Sequence, residues 1–225
     1  MTQMIITIDG YAGSGKSTAA RELAAALGFD LLNTGSMYRA VAWRLRQRGI
    51  DIYEEPPNFA AIEAEVASLN FTWSNNQVVI AGETRTEYLE SEEAGRGASR
   101  VGLFRQVRLR LQQEQRRIAD QRNIVCEGRD QGTAVFPDAP VKFFFHARPE
   151  VRAARRVKQL REKNLPADPE IILRQICQRD YEDTHRELDA LRPAADAIQI
   201  DTSEQSPQAV LAFMMQVVER CRSRS

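Results

Sequence analysis

Cysteine is scarce in this 225-residue chain, and its cysteines do not form closely spaced pairs. Cys126, Cys177 and Cys221 are far apart, odd in number and outside any C-x-x-C motif. This spacing excludes a disulfide framework and a cysteine zinc site, and it favours ordinary buried thiols in a reducing compartment. We therefore expect a cytoplasmic protein.

Long apolar runs and an excess of one charge are also absent. No segment approaches the roughly 20 apolar residues that span a bilayer, and the start of the chain lacks the basic segment and cleavage site of a secretory signal. The 31 basic and 31 acidic side chains balance, which argues against a dedicated nucleic-acid or membrane binder. A hydrophobic fraction of 43% at this length predicts one globular domain, or one core with insertions.

Short apolar runs alternate with segments rich in helix formers. Buried strands are predicted at 4–9, 29–34, 123–128, 141–147 and 197–202. Helices are predicted at about 16–27, 36–47, 102–121, 149–163, 169–188 and 206–222. Near-continuous apolar strands that alternate with helices favour a parallel sheet covered on both faces.

Two regions interrupt this alternation. The segment FTWSNNQVVIAGET (71–84) is typical of a β-hairpin, because Asn75 and Asn76 tolerate the positive φ of a tight turn. It lies in a polar, helical stretch from about 51 to 100, which we interpret as an inserted subdomain. The second interruption, EKNLPADPE (162–170), is predicted to be a loop between two charged helices.

The strongest chemical signal is GYAGSGKS (10–17), which matches the phosphate-loop motif G-x(4)-G-K-[ST]. Its glycines let backbone N–H groups curl around phosphate oxygens, and the following helix directs its positive N-terminus at the same place. Lys16 is expected to reach the β- and γ-phosphates, and Ser17 to bind Mg²⁺. A predicted strand before the loop and a predicted helix after it are the context that the motif requires.

The phosphate loop alone does not separate an enzyme from a switch or a motor. The chain lacks the N-K-x-D motif of a guanine-binding GTPase, and a large motor needs more residues. A small phosphotransferase fits best, because phosphoryl transfer depends on positioned positive charge. Arg129 directly follows a predicted strand end, where open α/β sheets bind ligands. The other candidate arginines are Arg39, Arg152, Arg155, Arg156, Arg179 and Arg186.

Seven stretches, in order and spanning nearly the whole chain, resemble the bacterial cytidylate kinases of the nucleoside monophosphate (NMP) kinase family. They are ITIDGYAGSGKST (6–18), LLNTGSMYR (31–39), ASRVGLFRQVR (98–108), EGRDQGTAVFPDAPVKFF (127–144), RRVKQL (155–160), QRDYEDTHR (178–186) and PAADAIQIDT (193–202). The resemblance implies an α/β P-loop three-layer sandwich with a mostly five-stranded parallel sheet. It implies a core of about 1–34, 102–148 and 189–225, an NMP-binding insertion with the hairpin at about 35–101, and a short lid at about 152–168.

The resemblance also implies roles for single residues. Those implied to bind ATP are Gly10, Tyr11, Ala12, Gly13, Ser14, Gly15, Lys16, Ser17, Thr18, Arg152, Arg155 and Arg156. Those implied to bind CMP are Thr34, Tyr38, Arg39, Ser99, Arg108, Arg129, Asp130, Arg179, Asp183 and Arg186. Lys16, Arg129, Arg155 and Arg156 would act catalytically. Ser17 would bind Mg²⁺ directly and Glu127 through water.

Four positions depart from the family pattern. Asn33 and Glu127 stand where aspartate is common, so the first loses a charge and the second is one methylene longer. Arg105 replaces a helix-start proline, and Glu182 replaces a frequent arginine. None of these changes removes a group that phosphoryl transfer requires.

The expected reaction is direct transfer of the γ-phosphoryl group of MgATP to CMP or dCMP, without a general base. His146 and His185 are therefore expected to be structural or exposed to solvent. Three alternatives remain at this stage: a kinase for UMP or AMP, a shikimate-type kinase, and a nucleotide-dependent switch that binds RNA through residues 100–117. We expect a monomer whose partners are ATP and CMP or dCMP, and which binds neither nucleic acid nor membranes.

Overall fold

A computed structural model describes residues 3–74, 76–80 and 91–223. Its helices are α1 (Lys16–Leu27), α2 (Thr34–Gln47), α3 (Phe59–Ser68), α4 (Glu92–Val101), α5 (Arg105–Ala119), α6 (Pro149–Glu162), α7 (Pro169–His185) and α8 (Pro207–Arg222). Its strands are β1 (Ile5–Gly10), β2 (Asp30–Asn33), β3 (Phe71–Ser74), β4 (Gln77–Ile80), β5 (Ile124–Gly128), β6 (Val141–His146) and β7 (Ile198–Asp201). The chain divides into two compact units, Met1–Leu31 with Arg122–Ser225, and Leu32–Gln121.

Five strands form a sheet in the order β2-β5-β1-β6-β7. The central strand β1 pairs in parallel with β5 and β6, so that Ile8 lies opposite Glu127 on one side and Phe143 on the other. The parallel pairing brings the carboxyl ends of these strands to one edge of the sheet, which is where such sheets bind ligands. The predicted α/β fold with a five-stranded parallel sheet is confirmed.

The core of the first unit lies between this sheet and the helices α1 and α8. Side chains alternate along a strand, so Ile6 and Ile8 of β1 face the same apolar cluster as Phe143 and Phe145 of β6. All four are almost fully buried, and each contributes about 1.5–3 kcal/mol through burial. Helix α1 ends as predicted, because Gly28 adopts φ 65° as its C-cap.

The second unit contains α2 to α5 and the antiparallel hairpin of β3 and β4, in which Trp73 lies opposite Val78. Asn76 has the predicted positive φ of 60°; Asn75 and residues 81–84 lie outside the described residues. The single helix predicted over 102–121 is wrong at its start. Gly102 closes α4 by donating to the carbonyl of Ala98, and α5 begins only at Arg105.

Helices α6 and α7 form a hairpin within the first unit. Their contact is a small apolar cluster that includes Val157, Leu160 and Ile172, and Asn164 takes a positive φ of 56° in the loop that joins them. Across the described residues, no helix combines the length and apolarity needed to cross a membrane. The division into core, NMP-binding insertion and lid stays a prediction.

Candidate active site

The phosphate loop leaves the carboxyl end of β1 and enters α1. Gly10 has φ 143°, and a Cβ there would lie 2.0 Å from the carbonyl oxygen of Phe145, so a side chain has no space. Gly13 and Gly15 have φ 75° and 90°, in the left-handed region that glycine adopts readily. The N–H of Tyr11 donates to the same Phe145 oxygen at 3.2 Å. Backbone conformation and the neighbouring strand therefore determine the shape of the loop.

Lys16 starts α1 and is only 6% exposed. Its Nζ donates to the carbonyl of Tyr11 at 2.9 Å, across the loop. Burial, and then the nearby charge of Arg129, lower its pKa to about 7, against the opposing effect of Glu127. A bound polyphosphate would supply the negative charge that favours the protonated lysine.

Ser17 and Glu127 lie next to each other beside the loop. The Ser17 hydroxyl donates to Glu127 Oε2 at 2.8 Å, and Glu127 is buried in β5. These two oxygen donors suit Mg²⁺, which binds oxygen ligands and usually completes its shell with water and substrate phosphates. Among the described residues, no group of three or more His, Cys, Asp or Glu side chains is arranged so that it could hold a metal ion.

Arg129 follows β5 and belongs to a cluster of charges around Asp183. Its Nε donates to Asp183 Oδ2 at 2.9 Å, while Arg186 Nη1 and Arg179 Nε lie 3.8 and 4.0 Å from the same carboxylate. Burial opposes ionisation of Asp183, but these arginines outweigh it and lower its pKa. Three positive side chains therefore converge on one carboxylate, and guanidinium groups are well suited to binding phosphate.

Arg152 is 2% exposed, and its guanidinium is surrounded by acceptors from the protein. It donates to the carbonyls of Ala147 at 2.9 Å and Ala12 at 3.2 Å, and to both Asp180 oxygens at 3.0 and 2.5 Å. The same group lies over the Tyr11 ring, with 5.2 Å to the centroid. Arg152 thus joins α6 and α7 to the phosphate loop in this conformation.

Arg155 and Arg156, the other two arginines of α6 predicted to bind ATP, contact different groups. Arg155 donates to the hydroxyl of Thr202 at 3.2 Å and to its carbonyl, and the Thr202 hydroxyl donates to Ser14 of the loop at 2.8 Å. Arg156 donates to Gln159 on the helix surface at 3.3 Å. Their guanidinium groups are less buried than that of Arg152 and are better placed to change partners when a ligand binds.

Comparison with known proteins decides the assignment. The family model described as cytidylate kinase matches residues 6–220. The chain belongs to the cytidylate kinase family. The cytidylate kinases of Thermotoga petrophila and Rhodopirellula baltica are each 42% identical to it, over 95% and 97% of this chain and 96% and 93% of their own. A crystal structure of an uncharacterized protein from Eubacterium ventriosum has a TM-score of 0.54 at 14% identity, covering 96% of this chain and 99% of that one, and shows the same fold.

Membership of the cytidylate kinase family confirms the resemblance inferred from sequence and makes the chain an ATP-dependent kinase. It decides against the shikimate-type kinase and against a protein that acts only as a nucleotide-dependent switch. The roles of the individual site residues stay predictions.

Five of the residues predicted to bind CMP lie in the second unit. Thr34, Tyr38 and Arg39 belong to the first turns of α2, and Asn33 is the N-cap whose side chain accepts from Ser36 N at 3.1 Å. Asparagine caps a helix as well as aspartate does, so this departure preserves the local structure.

Two further predicted residues lie on α4 and α5. Ser99 on α4 donates to the carbonyl of Gly95 at 3.3 Å. Arg108 on α5 is 2% exposed, with Nη1 3.4 Å from the carbonyl of Gly102. Such deep burial is unusual for an arginine, a residue that is mostly exposed on protein surfaces.

Sequence reasoning missed three residues that contact the site: Asp9, Asp180 and Thr202. Asp9 had a local signal, since it is an acidic residue at the end of an otherwise apolar strand. Asp180 and Thr202 had none, because their partners Arg152 and Ser14 lie 28 and 188 positions away in the sequence.

Proposed function

We propose that the chain transfers the γ-phosphoryl group of MgATP to a phosphate oxygen of CMP or dCMP, giving ADP and CDP or dCDP. The observation that carries this proposal is the position of Arg129 in a chain of the cytidylate kinase family. Arg129 follows β5 at the edge of the sheet where the phosphate loop follows the paired strand β1. At this edge, Gly128 of β5 lies opposite Asp9 of β1. Positive side chains for a donor and an acceptor phosphate therefore lie at one edge of the sheet.

The donor site is proposed to be the phosphate loop and the lid arginines. The loop of residues 10–18 would bind the ATP phosphates through backbone N–H groups that are not already bonded to the protein. The Lys16 ammonium would exchange its bond to the Tyr11 carbonyl for phosphate oxygens. Arg155 and Arg156 would neutralise the transferring group, since a guanidinium matches phosphate with two parallel hydrogen bonds.

The acceptor site is proposed from the family resemblance together with the charge cluster around Asp183. Arg39 and Arg129 would bind the phosphate of CMP, and Arg179 and Asp183 its ribose. The residues proposed to contact the base or line the phosphate site are Thr34, Tyr38, Ser99, Arg108, Asp130 and Arg186.

Ser17 and Glu127 are the residues that would hold Mg²⁺, Ser17 directly and Glu127 through water. When bound, the ion would reduce the negative charge of the ATP phosphates. The hydrogen bond between the two side chains shows that they reach the same point beside the loop.

Transfer would be direct and in line, without a covalent enzyme intermediate. The second pKa of a phosphate monoester is about 6, so the acceptor is an oxyanion at neutral pH and needs no general base. The protein's contribution is then position and positive charge, mainly from Lys16 and Arg129. We propose that closure of the lid, about 152–168, excludes water that would otherwise hydrolyse ATP.

We also propose a monomeric, cytoplasmic enzyme that binds neither nucleic acid nor membranes. The balanced charge and the widely spaced cysteines support this proposal.

A coupled ADP-release assay tests the function. It uses MgATP with each of CMP, dCMP, UMP, AMP, GMP and shikimate. CMP and dCMP are expected to be the best acceptors, UMP weaker, and AMP and GMP poor. Faster turnover of AMP than of CMP would contradict the proposed acceptor.

A further inference from the structure

Asp9 is a buried carboxylate at the end of β1, directly before the phosphate-loop residue Gly10. It is 4% exposed, and each of its oxygens accepts a different backbone hydrogen bond. Oδ1 accepts from the N–H of Gln131 at 2.9 Å, and Oδ2 accepts from the N–H of Gly132 at 2.7 Å. The Asp9 side chain of β1 therefore binds two consecutive backbone N–H groups of a segment that is distant in the sequence.

That segment starts immediately after the residues proposed to bind the acceptor. Arg129 and Asp130 leave β5, and the chain then makes a single π-helical turn over Gln131–Val135. The turn has little freedom to move toward β1, because a Cβ on Gly132 would lie 2.9 Å from Thr7 Oγ1 and 3.4 Å from Asp9 Oδ2. Packing limits how closely the turn approaches, and the carboxylate determines its orientation.

The position is costly for a carboxylate. Burial raises the pKa of Asp9 to about 7, although the hydrogen bonds from Gly132 and Gln131 favour the charged form. Ile6 and Ile8 of the same strand are fully buried in the apolar cluster, and alternation along the strand places Asp9 on the opposite face. The two hydrogen bonds are the contacts that distinguish Asp9 from them.

We propose that Asp9 is a positioning residue for phosphoryl transfer: its carboxylate holds the backbone of residues 131–132 and so sets where Arg129 and Asp130 stand relative to the phosphate loop. The inference rests on the proposed function, because it assigns Arg129 to the acceptor phosphate. Errors of about 1 Å in the placement of reacting groups lower rates by about 10²-fold. A displaced 129–132 segment should therefore weaken CMP binding and slow transfer while the phosphate loop still binds ATP.

The test compares Asp9→Asn with Thr7→Val. Asparagine keeps the shape of Asp9, but its amide group presents a donor to one of the two N–H groups. Thr7 lies on the same face of β1 and against the same Gly132, and among the described residues its hydroxyl has no hydrogen-bond partner. Valine is therefore a matched control that perturbs the same packing without touching the carboxylate.

Steady-state kinetics and calorimetry give the readout. For Asp9→Asn we expect kcat to fall about 10- to 100-fold and KM for CMP to rise, with the Kd for ATP within about threefold of wild type. For Thr7→Val we expect near wild-type values. Wild-type kinetics in Asp9→Asn, parallel losses in both variants, or an ATP affinity that falls as far as the CMP affinity would each overturn the proposal.

A measurement on the wild-type enzyme covers the case in which Asp9→Asn does not fold. The Gln131 and Gly132 amides are expected to exchange slowly with deuterium, because both N–H groups are buried and bonded to a carboxylate. Exchange at the rate of an open loop would refute the contact on which the proposal depends. If CMP is not the substrate, the acceptor assay fails whatever the exchange rates of these two amides are. Failure of the proposed function can therefore be distinguished from failure of the Asp9 proposal.

Discussion

The buried ion pair between Arg152 and Asp180 provides a test that distinguishes two roles for Arg152. The resemblance to the family makes Arg152 a ligand of the ATP phosphates. In the structure its guanidinium instead bonds to both Asp180 oxygens and to the Ala12 carbonyl of the phosphate loop. Asp180→Asn keeps the shape of the carboxylate and removes its charge, so it perturbs the pair without removing the arginine.

The expected loss of stability in Asp180→Asn follows from the burial of the ion pair. Removing one partner of a buried ion pair costs about 3–5 kcal/mol, because the other charge stays buried without compensation. Arg152 is 2% exposed and Asp180 is 16% exposed, so water can reach the carboxylate side and the lower figure applies. A loss of about 3 kcal/mol in a protein of this size corresponds to a fall in Tm of about 6–12 °C.

Thermal unfolding and ATP calorimetry on Asp180→Asn separate the two roles. If Arg152 stabilises the phosphate loop, both Tm and ATP affinity should fall, the affinity by about 2- to 10-fold for one weakened hydrogen bond. If Arg152 binds ATP directly, the variant frees the guanidinium and ATP should bind more tightly. Tighter binding would thus refute the loop-stabilising role. Glu162→Gln is the control, since its pair with Lys158 is exposed at 4.0 Å and should change stability by about 0.5 kcal/mol or less.

Three further outcomes are expected. Lys16→Met should lower kcat by about 10²-fold or more, or about 2.7 kcal/mol, while circular dichroism shows an intact fold; a folded variant with normal kcat would exclude the lysine from catalysis. Arg129→Ala should raise KM for CMP and lower kcat, at about 1.5–3 kcal/mol for a lost charge-assisted bond; calorimetry that finds ATP binding lost and CMP binding kept would reverse the site assignment. Asp130→Asn should narrow the CMP/UMP ratio of kcat/KM about 10- to 100-fold, because a carboxylate accepts from the cytosine amino group and repels the uracil carbonyl; equal losses for both substrates would show that Asp130 does not recognise the base.

The sequence alone was sufficient to predict those elements whose structure depends on residues close together in the chain. Helix α1 spans the predicted 16–27, and Gly28 ends it, because helix propensity and a positive φ are local properties. The hairpin follows from two short strands around a residue that tolerates the turn, Asn76. The phosphate loop is equally local, since its glycine conformations and its flanking strand and helix lie within about 25 residues. The prediction of one helix over 102–121 was wrong at its start. Gly102 ends α4, and the hydrophobic periodicity of the sequence does not mark where α5 begins.

Only the tertiary structure decided which charged side chains bond to each other. Asp9 and Gln131 are 122 positions apart, and Arg129 and Asp183 are 54 apart, so no periodic pattern connects them. Arg152 and Arg155 lie on the same helix and look alike in sequence. Burial beside Asp180 surrounds Arg152 with protein acceptors, whereas Arg155 donates to Thr202. A charged side chain is stabilised by whichever partner the fold brings within about 3–4 Å, and strand order and helix packing determine that distance.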